Sequence, residues 1–340
     1  MSLSNSQIVT DSERLNQGIE SKFNSNIYFT GSIEFPCLPS MLDVYLDKIE
    51  TIVKTLGKDE NLAQLDFLRF MLIDHLYEGF AKAPDTCLKI TLTMTGKDGF
   101  QFKIDTYSQS LDQRYQEWID KREPPLFGEY PDAKVMDVAQ NLGLTSDNII
   151  LDIGAGTGRN TIALAQKSYQ VDAVELTSVF AQQLIKSVQS ENLSVKVIQS
   201  NIIDGDFALT KNYYNLAIAS EVISTHIRNI DDLRQILGVI CDVLKDQGLF
   251  LFDLFMPINK DYVPDQKVRE IGQLNWCYIL TESELNEVLT EFPLEIISNE
   301  SAIEYEQKNQ PDGAFPRNSW FTSWSEGRNI FALLEDEKPP

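Results

Sequence analysis

The sequence predicts an α/β protein: a seven-stranded, mostly parallel sheet with helices on both faces, preceded by an N-terminal α+β region. Three observations carry this expectation. From about residue 149, short apolar runs alternate with amphipathic stretches, the pattern of strand–helix–strand units with right-handed crossovers. A glycine-rich turn, Asp152-Ile-Gly-Ala-Gly-Thr-Gly158, lies between the first of these runs and the first helix. The residues before about 130 follow another grammar, of helices and a hairpin.

In chain order, residues 1–40 read as polar and irregular, with Pro36 and Pro39 near their end. Leu42, Tyr45, Leu46, Ile49, Ile52, Val53 and Leu56 then recur at three- and four-residue steps, predicting an amphipathic helix capped by Ser40. A second helix fits about 61–82, through Leu62, Leu65, Leu68, Leu72, Leu76 and Phe80. Leu88–Met94 and Phe100–Thr106 alternate apolar and polar residues about Gly96-Lys-Asp-Gly99, which predicts a β-hairpin. Helices are predicted from Ser108 to Arg122, stopped by Pro124-Pro125, and from Pro131 to Gly143.

Strands are then predicted at Ile149–Ile153, Gln170–Leu176, Val195–Gln199, Leu216–Ser220 and Gly248–Phe255, followed by an antiparallel pair at Leu294–Ser298 and Asn329–Leu334. Helices intervene at about 160–167, after Thr177, at about 231–245, and after the capping box Thr281-Glu-Ser-Glu284.

The 340 residues carry a formal charge of −22, with neither half basic, and 43% of them are hydrophobic. That composition supports a globular core and excludes polyanionic partners: a nucleic-acid backbone or an anionic membrane is repelled by such a surface. No run of 18 apolar residues and no signal peptide is visible. Cys37, Cys87, Cys241 and Cys277 are widely spaced, as in free thiols of a reducing compartment, and the expected location is cytoplasmic. With His75 and His226 the only histidines, no metal site is expected.

The glycine loop follows an apolar strand and opens a helix, the context of a nucleotide-type loop. A dinucleotide fingerprint needs a glycine at the sixth position, where Arg159 stands. The pattern Asp-x-Gly-x-Gly-x-Gly resembles instead the first motif of the class I S-adenosylmethionine-dependent methyltransferases. The resemblance covers about 145–255 well and implies a Rossmann-like fold, S-adenosylmethionine as cofactor, and a loop that wraps its methionine part. It makes Asp152, Gly154, Ala155, Gly156 and Gly158 candidate cofactor contacts, with Glu175 and Leu176 at the end of the next strand, then Asn201, Ile202 and Ser220. Asn201 and Asn215 stand where the family usually has Asp.

The ligand of an open α/β sheet lies beyond the carboxyl ends of its strands. The loop after the fourth strand, Glu221-Val-Ile-Ser-Thr-His226, therefore faces the reacting methyl group, making His226 a candidate base and Glu221 a second catalytic candidate, which could bind a cationic substrate or a backbone amide. Packing or a carbonyl contact is the alternative for His226. By the same resemblance Tyr107, Tyr115 and Trp118 are candidates to cover the donor, with packing as the alternative. Trp276, Arg317, Trp320 and Trp324 fall in long insertions that read as lids.

The expectation is methyl transfer to oxygen or nitrogen of a small-molecule acceptor, neutral or cationic. Residues 1–130 form a capping or acceptor-recognition region, and 131–340 the donor-binding domain. A protein or peptide methyltransferase and a non-catalytic S-adenosylmethionine-binding module stand as alternatives, and the oligomeric state is open.

Overall fold

The computed structural model describes residues 11–24, 28–56, 62–95, 100–143, 145, 148–203, 209–311 and 328–335. Two compact units meet in sequence at Gln109/Ser110. The first holds α1 (Ser12–Asn24), β1 (Tyr28–Pro36), a 3-10 turn (Pro39–Met41), α2 (Leu42–Thr55), α3 (Leu62–Lys82), β2 (Cys87–Thr95) and β3 (Phe100–Tyr107).

β1, β2 and β3 form an antiparallel sheet in that order, so the hairpin gains a third strand from a stretch that reads as irregular. Phe29, Ile33 and Phe35 turn inward while Thr30, Ser32 and Glu34 stay exposed, the period of a half-buried strand. Gly31 and the polar outer face hide that period in the sequence. Leu68, Leu72 and Leu76 of α3, at four-residue spacing, are sealed against Ile49 of α2 and Leu88 and Ile90 of β2. Tyr45 closes this core, its ring stacked on Phe35 at 4.3 Å and its hydroxyl donating to the Pro36 carbonyl at 2.9 Å. Met41, not Ser40, occupies the N-cap of α2, because the 3-10 turn delays the helix.

The second unit opens with α4 (Leu111–Lys121) and α5 (Ala133–Asn141). It continues through β4 (Ile149–Ile153), α6 (Arg159–Gln166), β5 (Gln170–Glu175), α7 (Ser178–Glu191), β6 (Val195–Gln199), β7 (Tyr214–Ala219), α8 (Ile223–His226), α9 (Ile230–Val243) and β8 (Leu244–Phe255). α10 (Gln266–Leu274), α11 (Glu282–Leu289), β9 (Leu294–Ser301), α12 (Ala302–Asn309) and β10 (Arg328–Glu335) complete it.

The sheet order is β6-β5-β4-β7-β8-β10-β9. The five strands from β6 to β8 pair in parallel, and β10 pairs antiparallel with both β8 and β9. β4 is buried at every residue, which is why its sequence is a continuous apolar run rather than an alternating one. α9 lays Leu233, Ile236, Leu237, Ile240 and Val243 on one face of the sheet.

The unit boundary lies at 109/110 rather than 130/131, because α4 is tied to α7. Ser110 and Gln113 form a capping box at its start. The Ser178 backbone N–H donates to Asp112 Oδ1 at 3.0 Å, and the Tyr115 ring packs on Phe180 at 4.6 Å. α5 is fixed from the other end of the unit. The buried Glu306 carboxylate of α12 accepts from the Ala133 and Lys134 backbone N–H groups at 2.8 and 3.2 Å. Lys134 pairs with Glu300, the Tyr305 hydroxyl donates to Asp137, and Gln310 Nε2 donates to the Pro131 carbonyl at 2.9 Å.

Helices α10 and α12 occupy stretches that read as insertions, while Arg317, Trp320 and Trp324 lie outside the described residues. All four cysteines are free thiols, and burial pushes Cys37 and Cys277 up to about 12. Among the described residues no helix is long and apolar enough to cross a membrane, and no group of His, Cys, Asp or Glu is arranged to hold a metal ion.

Candidate active site

The site forms where β4, β5 and β7 end. The turn after β4 doubles back on β5, with the Gly154 and Ala155 N–H groups donating to the Val174 carbonyl at 2.8 and 3.1 Å. Gly154 has φ +69°, and a Cβ there would fall 2.3 Å from Val222 Cγ2. Only glycine allows both the left-handed backbone and that approach. Gly158, φ +96°, starts α6 with Leu184 Cδ1 2.4 Å from where a Cβ would stand. Gly158→Ala is therefore expected to cost about 2 kcal/mol or more of stability, measured by urea unfolding.

A cavity of about 860 Å³ opens above this turn, at the upper end of small-molecule sites. Asp152, Gly154, Ala155, Gly156, Glu175, Leu176, Asn201, Ile202, Ser220, Glu221 and His226 all line it. Gly158 does not, being committed to packing of α6 on α7. Asn215 stands at the opposite end of β7, where its side-chain oxygen accepts from Lys245 Nζ at 2.9 Å and the Ile149 N–H at 3.3 Å. Its identity therefore has no bearing on a ligand in the cavity.

One side of the cavity is rich in carboxylates. Asp152 is buried with the Thr161 hydroxyl as its donor, and no ion pair to it is found among the described residues. Burial, with Asp132 and Glu175 nearby, pushes its pKa up to about 7 against the opposing pull of Thr161 and Arg159. Glu175 is also buried: one oxygen accepts from the Gly156 N–H at 2.9 Å, the other from the Thr177 N–H and hydroxyl at 2.8 and 2.7 Å. Thr177 thus stands at the N-cap of α7 but turns its hydroxyl to Glu175. The Asn201 side-chain oxygen accepts from the Ile203 N–H at 3.1 Å.

Beneath these, Asp132 gathers Arg159, Asn160 Nδ2 at 2.9 Å and the Ser220 hydroxyl at 2.5 Å. Burial opposes its charge, but the Arg159 guanidinium and these donors hold its pKa below the usual carboxylate value. Arg159 Nη2 also lies 3.8 Å from Glu221 Oε1. Glu221 is in the left-handed region, φ +57°, and its N–H donates to Asp253 Oδ2 at 2.9 Å. A non-glycine residue held so is stored strain at a site.

The other side is aromatic. His226, ending α8, shares Nδ1 with the Val222 carbonyl at 3.1 Å and Thr225 Oγ1 at 2.7 Å, while Nε2 lies 3.2 Å from the Tyr115 hydroxyl. The Thr225 hydroxyl donates to the Glu221 carbonyl at 2.6 Å. The consistent assignment puts the imidazole proton on Nδ1, so that Nε2 accepts from Tyr115. Burial lowers the His226 pKa against the pull of the Val222 carbonyl and Glu175, and burial raises that of Tyr115. The pair is thus neutral imidazole and protonated phenol at pH 7.

Tyr115, Trp118 and Trp276 are in mutual ring contact, with centroids 5.2 to 5.9 Å apart. Trp276 has φ +62°, following α10 with its N–H donating to the Gln273 carbonyl at 3.0 Å and the Cys277 N–H to the Gly272 carbonyl at 2.9 Å. This is the helix-terminating position that glycine usually fills, and an indole there costs about 1–2 kcal/mol. Phe127 approaches the glycine turn, 3.4 Å from where a Gly156 Cβ would stand.

Tyr107 is not part of this arrangement, since it ends β3 in the first unit with its hydroxyl donating to Glu34 at 2.9 Å. His75 has Nδ1 at 2.8 Å from the Met71 carbonyl within α3. Sequence reading missed Asp132, Thr161, Phe127 and Phe180. Arg159 carried a signal, as the residue that breaks the dinucleotide spacing, and Asp132 was hidden behind Pro131.

Residues 150–248 match the family model described as a methyltransferase domain. That match spans the strand, the glycine turn, the buried Asp152 and the His226 loop. This stretch is a methyltransferase domain. The chain is also similar to a protein of Geobacillus sp. (strain WCH70) that carries a methyltransferase name. The two are 24% identical over 137 residues, covering 39% of this chain and 54% of that relative's length. Among solved structures, phosphoethanolamine N-methyltransferase 2 of Haemonchus contortus is 15% identical with a TM-score of 0.49, covering 70% of this chain and 63% of that one. Geranyl diphosphate C-methyltransferase of Streptomyces coelicolor A3(2) is 15% identical with a TM-score of 0.45, covering 60% of this chain and 78% of that one.

The residues of the methyltransferase domain fit the family's cofactor. S-adenosylmethionine carries an ammonium and a sulfonium and no phosphate, and buried Asp152, with a hydroxyl rather than a cation as its partner, suits a cationic group. Glu175 is fixed at the cavity wall by hydrogen bonds from both sides of the turn.

Proposed function

We propose that this chain transfers the methyl group of S-adenosylmethionine to oxygen or nitrogen of a small acceptor, neutral or cationic. The supporting observation is a cavity whose lining joins Asp152, the glycine turn and Glu175 to the Tyr115–His226 pair. Asp152 would hold the ammonium group, Glu175 the ribose hydroxyls, and Leu176, Asn201 and Ile202 the adenine. Bound there, S-adenosylmethionine supplies an electrophilic methyl group on sulfur.

The chain's own residues do the rest. The aromatic side excludes water and orients the acceptor, the role positioning plays in group transfer. The acceptor's proton passes to the Tyr115 hydroxyl as Tyr115 gives its own to His226 Nε2, so the phenol ends protonated and the imidazole becomes cationic. The Val222 carbonyl and Thr225 hydroxyl stabilise that imidazolium through Nδ1. Glu221, beside Arg159, is assigned to holding the turn rather than to proton transfer.

Incubating the purified protein with methyl-labelled S-adenosylmethionine and a cell lysate is expected to label small molecules. Label in macromolecules would move the acceptor to proteins or peptides. Donor binding by calorimetry without transfer would overturn catalysis in favour of a binding module.

A further inference from the structure

We infer that Trp276 selects the acceptor, and that the acceptor is a flat, neutral, aromatic or conjugated alcohol or amine lying against its indole. This rests on the methyl-transfer reading above and names the acceptor of that same cavity. Trp276 terminates helix α10 two residues past Leu274, with both terminating hydrogen bonds formed and φ +62°. A glycine would close the helix without strain, so the backbone gains nothing from tryptophan here. The gain lies with the ring. The indole lines the cavity, 5.8 Å from the His226 ring and 5.9 Å from that of Tyr115, centroid to centroid. It therefore borders the two groups that handle the acceptor's proton.

The ring's charge environment narrows the acceptor. The Arg114 guanidinium lies 4.7 Å from the Trp276 centroid, and that of Arg122 lies 4.1 Å from Trp118. Each indole already carries a cation, and a cationic acceptor stacked on the same pair would meet that charge. A neutral planar molecule meets no such opposition and gains offset or edge contacts with the rings.

The test titrates 2-naphthol, and separately its saturated counterpart decahydro-2-naphthol, into protein saturated with S-adenosylhomocysteine, by calorimetry. The expected result is 2-naphthol binding about tenfold tighter than the saturated alcohol. Trp276→Asn, whose side chain tolerates the left-handed backbone, is expected to weaken 2-naphthol about tenfold while S-adenosylhomocysteine affinity stays within about threefold. Equal affinity for the two alcohols, binding of neither, or unchanged 2-naphthol affinity in the variant overturns the inference. The comparison of alcohols on the unsubstituted protein stands alone if the variant does not fold. Failure of S-adenosylhomocysteine itself to bind is a separate result, and overturns the function proposed above together with this inference.

Discussion

Asp152→Asn is expected to do two opposite things: weaken donor binding and raise the stability of the ligand-free protein. The folded carboxyl titrates at about 7 against an ordinary value of 3.8. Between those values the folded state keeps a proton that the unfolded chain has released, so this group's contribution to stability falls as pH rises. Above pH 7 the folded protein carries the whole cost of a buried carboxylate, up to about 4 kcal/mol by the shift. Asparagine keeps an oxygen for Thr161 and removes that cost. Its ligand-free Tm is therefore expected to exceed the parent's by about 3 °C or more at pH 8, with the gain vanishing near pH 4. Donor affinity falls about 10- to 100-fold at pH 8, the loss of a charged hydrogen bond. In the parent it weakens about tenfold per pH unit below 7 as Asp152 protonates, and in Asp152→Asn it is flat over that range. Calorimetry across pH reads both, and a parent whose donor affinity ignores pH between 5 and 8 would remove Asp152 from the ammonium site.

The second large effect is at the proton-handling pair. His226→Gln is expected to lower kcat by about 10²–10⁴, the usual share of a general base, with donor affinity nearly unchanged. Tyr115→Phe removes the hydroxyl 3.2 Å from His226 Nε2 and is expected to lower kcat by about 10–100-fold. The pH profile gives an independent reading. Burial holds the imidazole below 6.5, so it stays an unprotonated base down to more acid pH than a free histidine. The acid limb of kcat, measured with donor and acceptor saturating, should lie below pH 6.5 and disappear in His226→Gln. Full turnover by that variant, with the limb unmoved, would remove His226 as the base.

What was legible in the sequence and what was not follow from the range of the contacts. β4, β7 and the second half of β8 announce themselves as near-continuous apolar runs because they are covered on both faces. The glycine turn is legible for a similar reason, since its backbone tolerates almost nothing else at Gly154. The carboxylate side of the cavity came with it, because Asp152 and Glu175 end adjacent strands. The aromatic side did not. Tyr115 and His226 are 111 residues apart in sequence, and nothing local tells that α4 packs on α7. β1 escaped because a single strand with a polar outer face and a glycine at its middle has a weak period. Asp132 escaped because it falls in the first turn of the helix predicted from Pro131, whereas in the structure it is the N-cap of α5 and turns its carboxylate to Arg159 instead of the helix.

The docking of α12 on α5 has a consequence for synthesis. α5 precedes the first strand of the parallel sheet, yet its opening N–H groups are satisfied by Glu306, and its flanks by Glu300, Tyr305 and Gln310. Emerging from the ribosome, α5 waits for some 170 residues before its partners exist. The strands between can pair meanwhile, and Asp132, at the head of α5, finds Arg159, Asn160 and Ser220 among them, but the Ala133 and Lys134 N–H groups are satisfied only when the latch closes. A nascent chain halted before residue 300 should hold a partly ordered sheet with the Ala133 and Lys134 N–H groups open to hydrogen exchange, and the full chain should protect them. The start of α5 is thus among the last parts of the unit to be finished, although the chain makes it before any strand of the parallel sheet.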